Sequence, residues 1–280
     1  MAAVVGVHGI AQQYKGPHHL ASTWLPSLQD GVHFAGGALE PADFTMAFYG
    51  NMFRRPGSMA ASFPPLTAVD LDQGDAALLE LWWQEAARVD PAVPGPDAET
   101  MVHTPKMVQR ALNALSQSAF FAGMAESLMV GVVKQVRLYF GDSEVRAIAV
   151  GAVEAAVSDD TRVVIGHSLG SVVAFEALAA HPEWQVHTLV TLGSPLGIRN
   201  LVFDRLDPAP VDGRGRFPGS VQVWVNVAAP GDVVALVKRL ATCFDGGVVD
   251  HLVDTGAKAH DVSPYLTVVE VGRAVLDGLG

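Results

Sequence analysis

Apolar positions along the chain fall into two repeating patterns. Short runs of β-branched and aliphatic residues lie at 3–7, 43–50, 163–165, 186–192, 221–227 and 247–253, with the length and composition of strands buried on both faces. Between them apolar residues recur every three or four positions. Leu20, Trp24, Leu25 and Leu28 mark 18–34 as a loop passing into a helix, and Leu78, Leu79, Leu81, Trp82 and Trp83 mark a helix over 75–89. The stripe Val108, Leu112, Leu115, Ala119, Ala122, continued by Leu128, Val132 and Val136, predicts one or two long helices over 105–140. Further helices are expected over 142–157, after the strand at 163–165, and over 263–279, the last with Ser263 as its cap and Pro264 in its first turn.

Strands that alternate with helices predict an α/β chain with a doubly wound, mostly parallel sheet. No internal repeat appears, so residues 1–280 read as one domain carrying a helical insertion over 51–141. Arg54-Arg55-Pro56-Gly57, Phe63-Pro64-Pro65 and the stretch from Pro91 to Pro96 are loop chemistry, and the polar, Pro/Gly-rich stretch 199–217 is expected to rim a cleft.

Half of the 280 residues are hydrophobic and 17% are charged, enough for a sizeable core and against disorder. The formal net charge of −11 argues against nucleic acid or an anionic membrane surface as a partner. Cys243 is the only cysteine, which excludes an intramolecular disulfide and a Cys-rich metal site. His18-His19 has no Asp, Glu or Cys at ligand spacing, so no metal is expected. The most apolar stretch, near 119–133, is interrupted by Glu126 and is too short to span a bilayer. Residues 1–5 carry no basic n-region, so a secretory signal is not expected and a cytoplasmic location is.

The candidate chemistry centres on Gly166-His167-Ser168-Leu169-Gly170, which stands between a buried strand and a helix-forming run. A sharp strand-to-helix turn leaves no room for a Cβ on its flanks and holds its central residue in a strained conformation that pushes the side chain out of the sheet. The following helix start aims unpaired backbone N–H groups at the same point. Ser168 is therefore the candidate nucleophile and Leu169 N–H a candidate oxyanion donor.

In this pattern the chain resembles the α/β-hydrolase family of lipases, esterases, thioesterases and peptidases. The resemblance extends to His8-Gly9-Ile10 after the first strand and to the turn Gly193-Ser194-Pro195, and leaves out 51–141. It implies an α/β-hydrolase fold, a second oxyanion donor at Ile10 with Gly9 keeping the backbone approachable, and an insertion that often forms a cap. Extra core helices on the flank of the sheet fit 51–141 equally well, and Trp82, Trp83, Phe120, Phe121 and Met124 could line an acyl pocket, although bulky apolar residues at helical spacing are more often core.

A serine hydroxyl needs a base, and the family order is Ser, then Asp or Glu, then His, on loops at the carboxyl ends of later strands. His181 and His187 fall at the wrong edge of the sheet, and His167 points away from the hydroxyl. His260 is preferred over His251 because the family carries its base there. Asp232, after a strand and a Pro-Gly turn, is preferred for the carboxylate over Asp254, Asp204 and Asp207; it could also cap a helix over 233–240. The expected activity is a serine hydrolase cleaving an ester or thioester of a small or acyl-chain substrate, with no cofactor. The alternatives are an acyltransferase or thioesterase of a biosynthetic pathway, and a non-catalytic binding protein.

Overall fold

A computed structural model describes residues 2–54, 66–96, 105–118, 125–256 and 260–280. Six parallel strands form one open sheet in the order β2-β1-β3-β4-β5-β6. They are β1 (Val4–Val7), β2 (Phe44–Ala47), β3 (Val163–His167), β4 (Thr188–Leu192), β5 (Val223–Ala228) and β6 (Val249–Leu252). The register runs Val4 opposite Phe44 and Val163, Val163 opposite Thr188, Thr188 opposite Val223, and Val225 opposite Val249.

The alternation of side chains along each strand explains the unbroken apolar runs. Val5, Val7, Val164, Leu189 and Trp224 point into one core, and Val4, Val163, Ile165, Val190 and Val225 into the other. The second core is closed by α1 (Pro17–Phe34), α7 (Val262–Leu266) and α8 (Val269–Leu279). The first is closed by α2 (Gln73–Val89), α3 (Pro105–Leu115), α4 (Glu126–Gly141), α5 (Ser143–Glu154) and α6 (Leu169–Ala180). Helices on both faces make the sheet doubly wound. Among the described residues no helix is long and apolar enough to cross a membrane.

Several boundaries differ from the sequence reading. Residues 18–34 are helical throughout, because Pro17 starts α1 at a position where its missing N–H is harmless. The periodic stripe over 105–140 divides into α3 and α4. The closing helix is two helices, α7 and α8, and its cap is Asp261, whose carboxylate accepts the Ser263 N–H at 3.1 Å, rather than Ser263. No helix forms over 233–240. The loop chemistry expected at Arg55-Pro56-Gly57 and Phe63-Pro64-Pro65, and the side chains of Ala119, Phe120, Phe121, Ala122 and Met124, lie outside the described residues.

The chain leaves β1 toward β2 on one side and resumes at β3 on the other, so the winding reverses between β1 and β3. A crevice forms at the carboxyl ends of strands at such a switch point. The loop from His8 follows β1 there, and Ser168 follows β3.

Candidate active site

The turn at Ser168 has the strain its flanking glycines imply. Ser168 has φ +55° and ψ −131°, a region a side chain rarely adopts. A Cβ on Gly166 would stand 2.5 Å from Ser171 Cα, and one on Gly170 2.3 Å from the carbonyl oxygens of both Val7 and His8. The glycines are thus demanded by the close approach of α6 to β1 and to its own strand. Ser168 precedes the first turn of α6, where backbone N–H groups such as that of Leu169 have no intrahelical acceptor. Ser171 Oγ lies 2.6 Å from the Ser168 carbonyl oxygen and 2.7 Å from Ser194 Oγ. Ser194, in the turn after β4, is buried, and its hydroxyl also accepts the Leu196 N–H.

The loop after β1 runs against Ser168. A Cβ on Gly9 would meet Ser168 Cβ at 2.7 Å, and Ile10 lines the space beside the serine. His8, fully buried, fixes this loop from below. Its Nδ1–H donates to the Gly9 carbonyl at 2.6 Å, its Nε2 accepts the Tyr49 N–H at 3.2 Å, and its ring stacks on Tyr49. Burial pushes the imidazole down to about 4, so it is neutral with a set tautomer. Tyr49 closes the circuit by donating its hydroxyl to the His8 carbonyl at 2.5 Å. Ala11 has φ +61°, and its N–H donates at 2.9 Å to Oε1 of Gln135 on α4. Gln135 Nε2 in turn donates to the Gln13 side chain at 3.1 Å.

The structure brings His260 and Asp232 together. His260 Nδ1 is 2.7 Å from Asp232 Oδ2, which also accepts the Tyr265 hydroxyl at 2.8 Å. Asp232 Oδ1 accepts the N–H groups of Val234 and Ala235 at 2.8 and 3.3 Å. Burial alone would raise this carboxyl. The opposing His260, the Tyr265 hydroxyl and the Val234 N–H outweigh burial and bring it down to about 2. An ionised carboxylate only accepts, so Nδ1 of His260 carries the proton and Nε2 is the basic nitrogen. Tyr265, to which the sequence assigned no role, also accepts the Ala229 N–H at 2.8 Å. Burial pushes its phenol upward, and Asp232 pushes it the same way, so it remains a donor.

His167 packs against His260. Its Nε2 donates to the His260 carbonyl at 3.1 Å and its ring lies 4.7 Å from the His260 ring. Burial, then the neighbouring His260, lower it to about 3.

The weaker sequence alternatives are engaged elsewhere. His251 sits in β6, Asp254 accepts the Gly256 N–H, Asp204 accepts the Asn200 N–H, and Asp207 follows Leu206 with its own N–H donated to Glu176. His181 stacks on Trp184 between Glu154 and Glu183. Among the described residues no group of three or more His, Cys, Asp or Glu is arranged to hold a metal ion.

Ser168 lines two spaces. A cleft of about 500 Å³ is lined by His8, Gln12, Lys15, Thr23, Ser168 and His260, among others. A smaller slot of about 30 Å³ also borders the serine, walled by Trp82 of α2, Val136 of α4, Ile10, Leu169, Ile198 and Val234. The helices of 51–141 therefore belong to the first core and also wall the site. Trp82 and Trp83 are both buried; Trp82 lines the slot with its Nε1–H donated to the Val233 carbonyl at 3.2 Å, and Trp83 donates its Nε1–H to the Pro94 carbonyl at 2.6 Å. No family model matches the chain, and comparison with curated proteins and with solved structures finds no match.

Proposed function

We propose that the chain is a serine hydrolase of the α/β-hydrolase type that cleaves carboxylic esters or thioesters through an acyl-enzyme. One observation carries the reading. A buried serine with positive φ, at the start of a helix and the end of a parallel strand, shares a cleft with an imidazole bonded to an ionised carboxylate. The strand order supports it further, since the nucleophile and the loop of Gly9 and Ile10 flank the reversal between β1 and β3.

In this mechanism His260 Nε2 takes the Ser168 proton as Oγ bonds to the carbonyl carbon. The developing oxyanion is held by the N–H groups of Leu169 and Ile10. The carbon–leaving-group bond then breaks, and His260 returns the proton to the departing atom. Water attacks the acyl-enzyme, gives a proton to His260, and the carbon–Oγ bond breaks with that proton restored to Ser168. The sum is ester plus water to acid plus alcohol, or thiol from a thioester. Asp232 holds the His260 tautomer and balances the imidazolium; Tyr265 and the Val234 and Ala235 N–H groups hold Asp232.

The test is covalent labelling by a fluorophosphonate together with p-nitrophenyl acetate hydrolysis, for wild type and Ser168→Ala. The expected outcome is labelling of wild type only, with turnover falling by about 10⁴-fold or more in the variant. A wild type that neither labels nor turns over ester refutes the reading.

A further inference from the structure

The two spaces at Ser168 differ in size, in polarity and in which of them contains the base. His260 lines the cleft and does not line the slot. The departing atom receives its proton from His260, so the leaving group departs on the cleft side. The acyl chain, which stays on Ser168, is left with the slot between Ile10 and Leu169. This assignment rests on the serine-hydrolase reading above.

Size then constrains the substrate. Measured alike, the slot has about 30 Å³ against about 500 Å³ for the cleft, so it takes the smaller part of the substrate, a short chain beyond the carbonyl. Its walls are apolar apart from Ser168 itself, which fits an alkyl group and no charge. Trp82 is buried and its indole is tethered to the carbonyl of Val233, the residue after Asp232, so the wall is anchored in place. The cleft, at about 500 Å³, has the volume of a site for a whole small molecule. Gln12, Lys15, Thr23, Asp261 and Ser263 give it polar walls.

We infer that the substrate is a short-chain acyl ester of a large polar leaving group, and that Trp82 sets the acyl limit.

The experiment compares kcat/KM for p-nitrophenyl acetate, propionate, butyrate and octanoate, in which the leaving group is constant and only the slot is probed. Wild type is expected to lose at least tenfold between propionate and octanoate, and Trp82→Ala to raise the octanoate-to-acetate ratio at least tenfold. Trp82→Phe, which keeps a ring but loses the indole N–H, is expected to move the ratio the same way by a smaller factor, and decides the point should the alanine variant not fold. Octanoate turned over as well as acetate by wild type, with Ser168 labelled, overturns the inference and leaves the hydrolase standing. A short-chain preference that neither Trp82 variant alters overturns the role of this slot. Absence of both labelling and turnover overturns the hydrolase reading and the inference with it.

Discussion

Acidification from pH 7 to 4.5 is expected to remove about 2.5 kcal/mol of stability through His8 alone. The imidazole protonates near its ordinary 6.5 in the unfolded chain but near 4 when buried against Gly9 and Tyr49. Between those values the unfolded state binds more protons than the folded state, so stability is fully present above 6.5 and is lost as pH falls toward 4. His167, lowered to about 3, adds loss in the same window. The comparison that isolates His8 is therefore wild type against His8→Asn, by urea denaturation at both pH values. The asparagine amide can still donate to the Gly9 carbonyl, but Tyr49 N–H loses its acceptor, so the variant starts less stable at pH 7. What is diagnostic is the difference between the two pH values, which should be smaller in the variant by about 2.5 kcal/mol. An identical pH dependence in the two proteins refutes the buried, neutral His8 and with it the account of how the loop before Ile10 is fixed.

Two other substitutions test the packing of the site. Gly170→Ala puts a Cβ within 2.3 Å of two backbone carbonyl oxygens that cannot swing aside, and should lower stability by about 3 kcal/mol or more in denaturant melts; a loss below about 1 kcal/mol would show that α6 can lift from β1. Tyr265→Phe strands the Ala229 N–H and deletes one of the bonds to Asp232. It should lower stability by about 2–3 kcal/mol, and a variant as stable as wild type would remove Tyr265 from the support of the carboxylate.

The strand–turn–helix around Ser168 was legible because sterics and burial speak through residue type there: glycines where backbones touch, β-branched residues where both faces are covered. The stretch 233–240 shows where that legibility stops. It is apolar and follows an Asp, a helix start by local rule, yet N–H groups near both of its ends are met by side chains. Asp232 takes those of Val234 and Ala235, and Asp250 on β6 takes those of Leu240 and Ala241. Asp250 reaches them only once β6 has joined the sheet, which no local pattern records. The break between α7 and α8 has a similar origin. A Cβ on Gly31 of α1 would lie 2.2 Å from the Leu266 carbonyl oxygen, and one on Gly272 of α8 2.0 Å from that of Gly31, so α1 meets both helices at contact distance. Tyr265 was hidden for a different reason. An aromatic on an apolar helix reads as core, and only the tertiary structure shows what its hydroxyl reaches.

The bond from Gln135 to Ala11 joins two points 124 positions apart in the chain, and Gln135 commits both ends of its amide to the loop after β1. Loops usually belong to the least protected part of a protein, opening by local fluctuation. This one is fastened to the buried face of α4, beside Met129, Val132 and Val136. Releasing the Ala11 amide while α4 stays docked would strand the Gln135 amide in the interior, so the low-energy route is to undock the helix. The loop and α4 should then behave as one cooperative unit, with the Ala11 amide exchanging its proton at the pace of the helix interior rather than of a surface turn. Persistence of the loop beside Ser168 is in that sense inherited from a helix that enters the chain more than a hundred residues later.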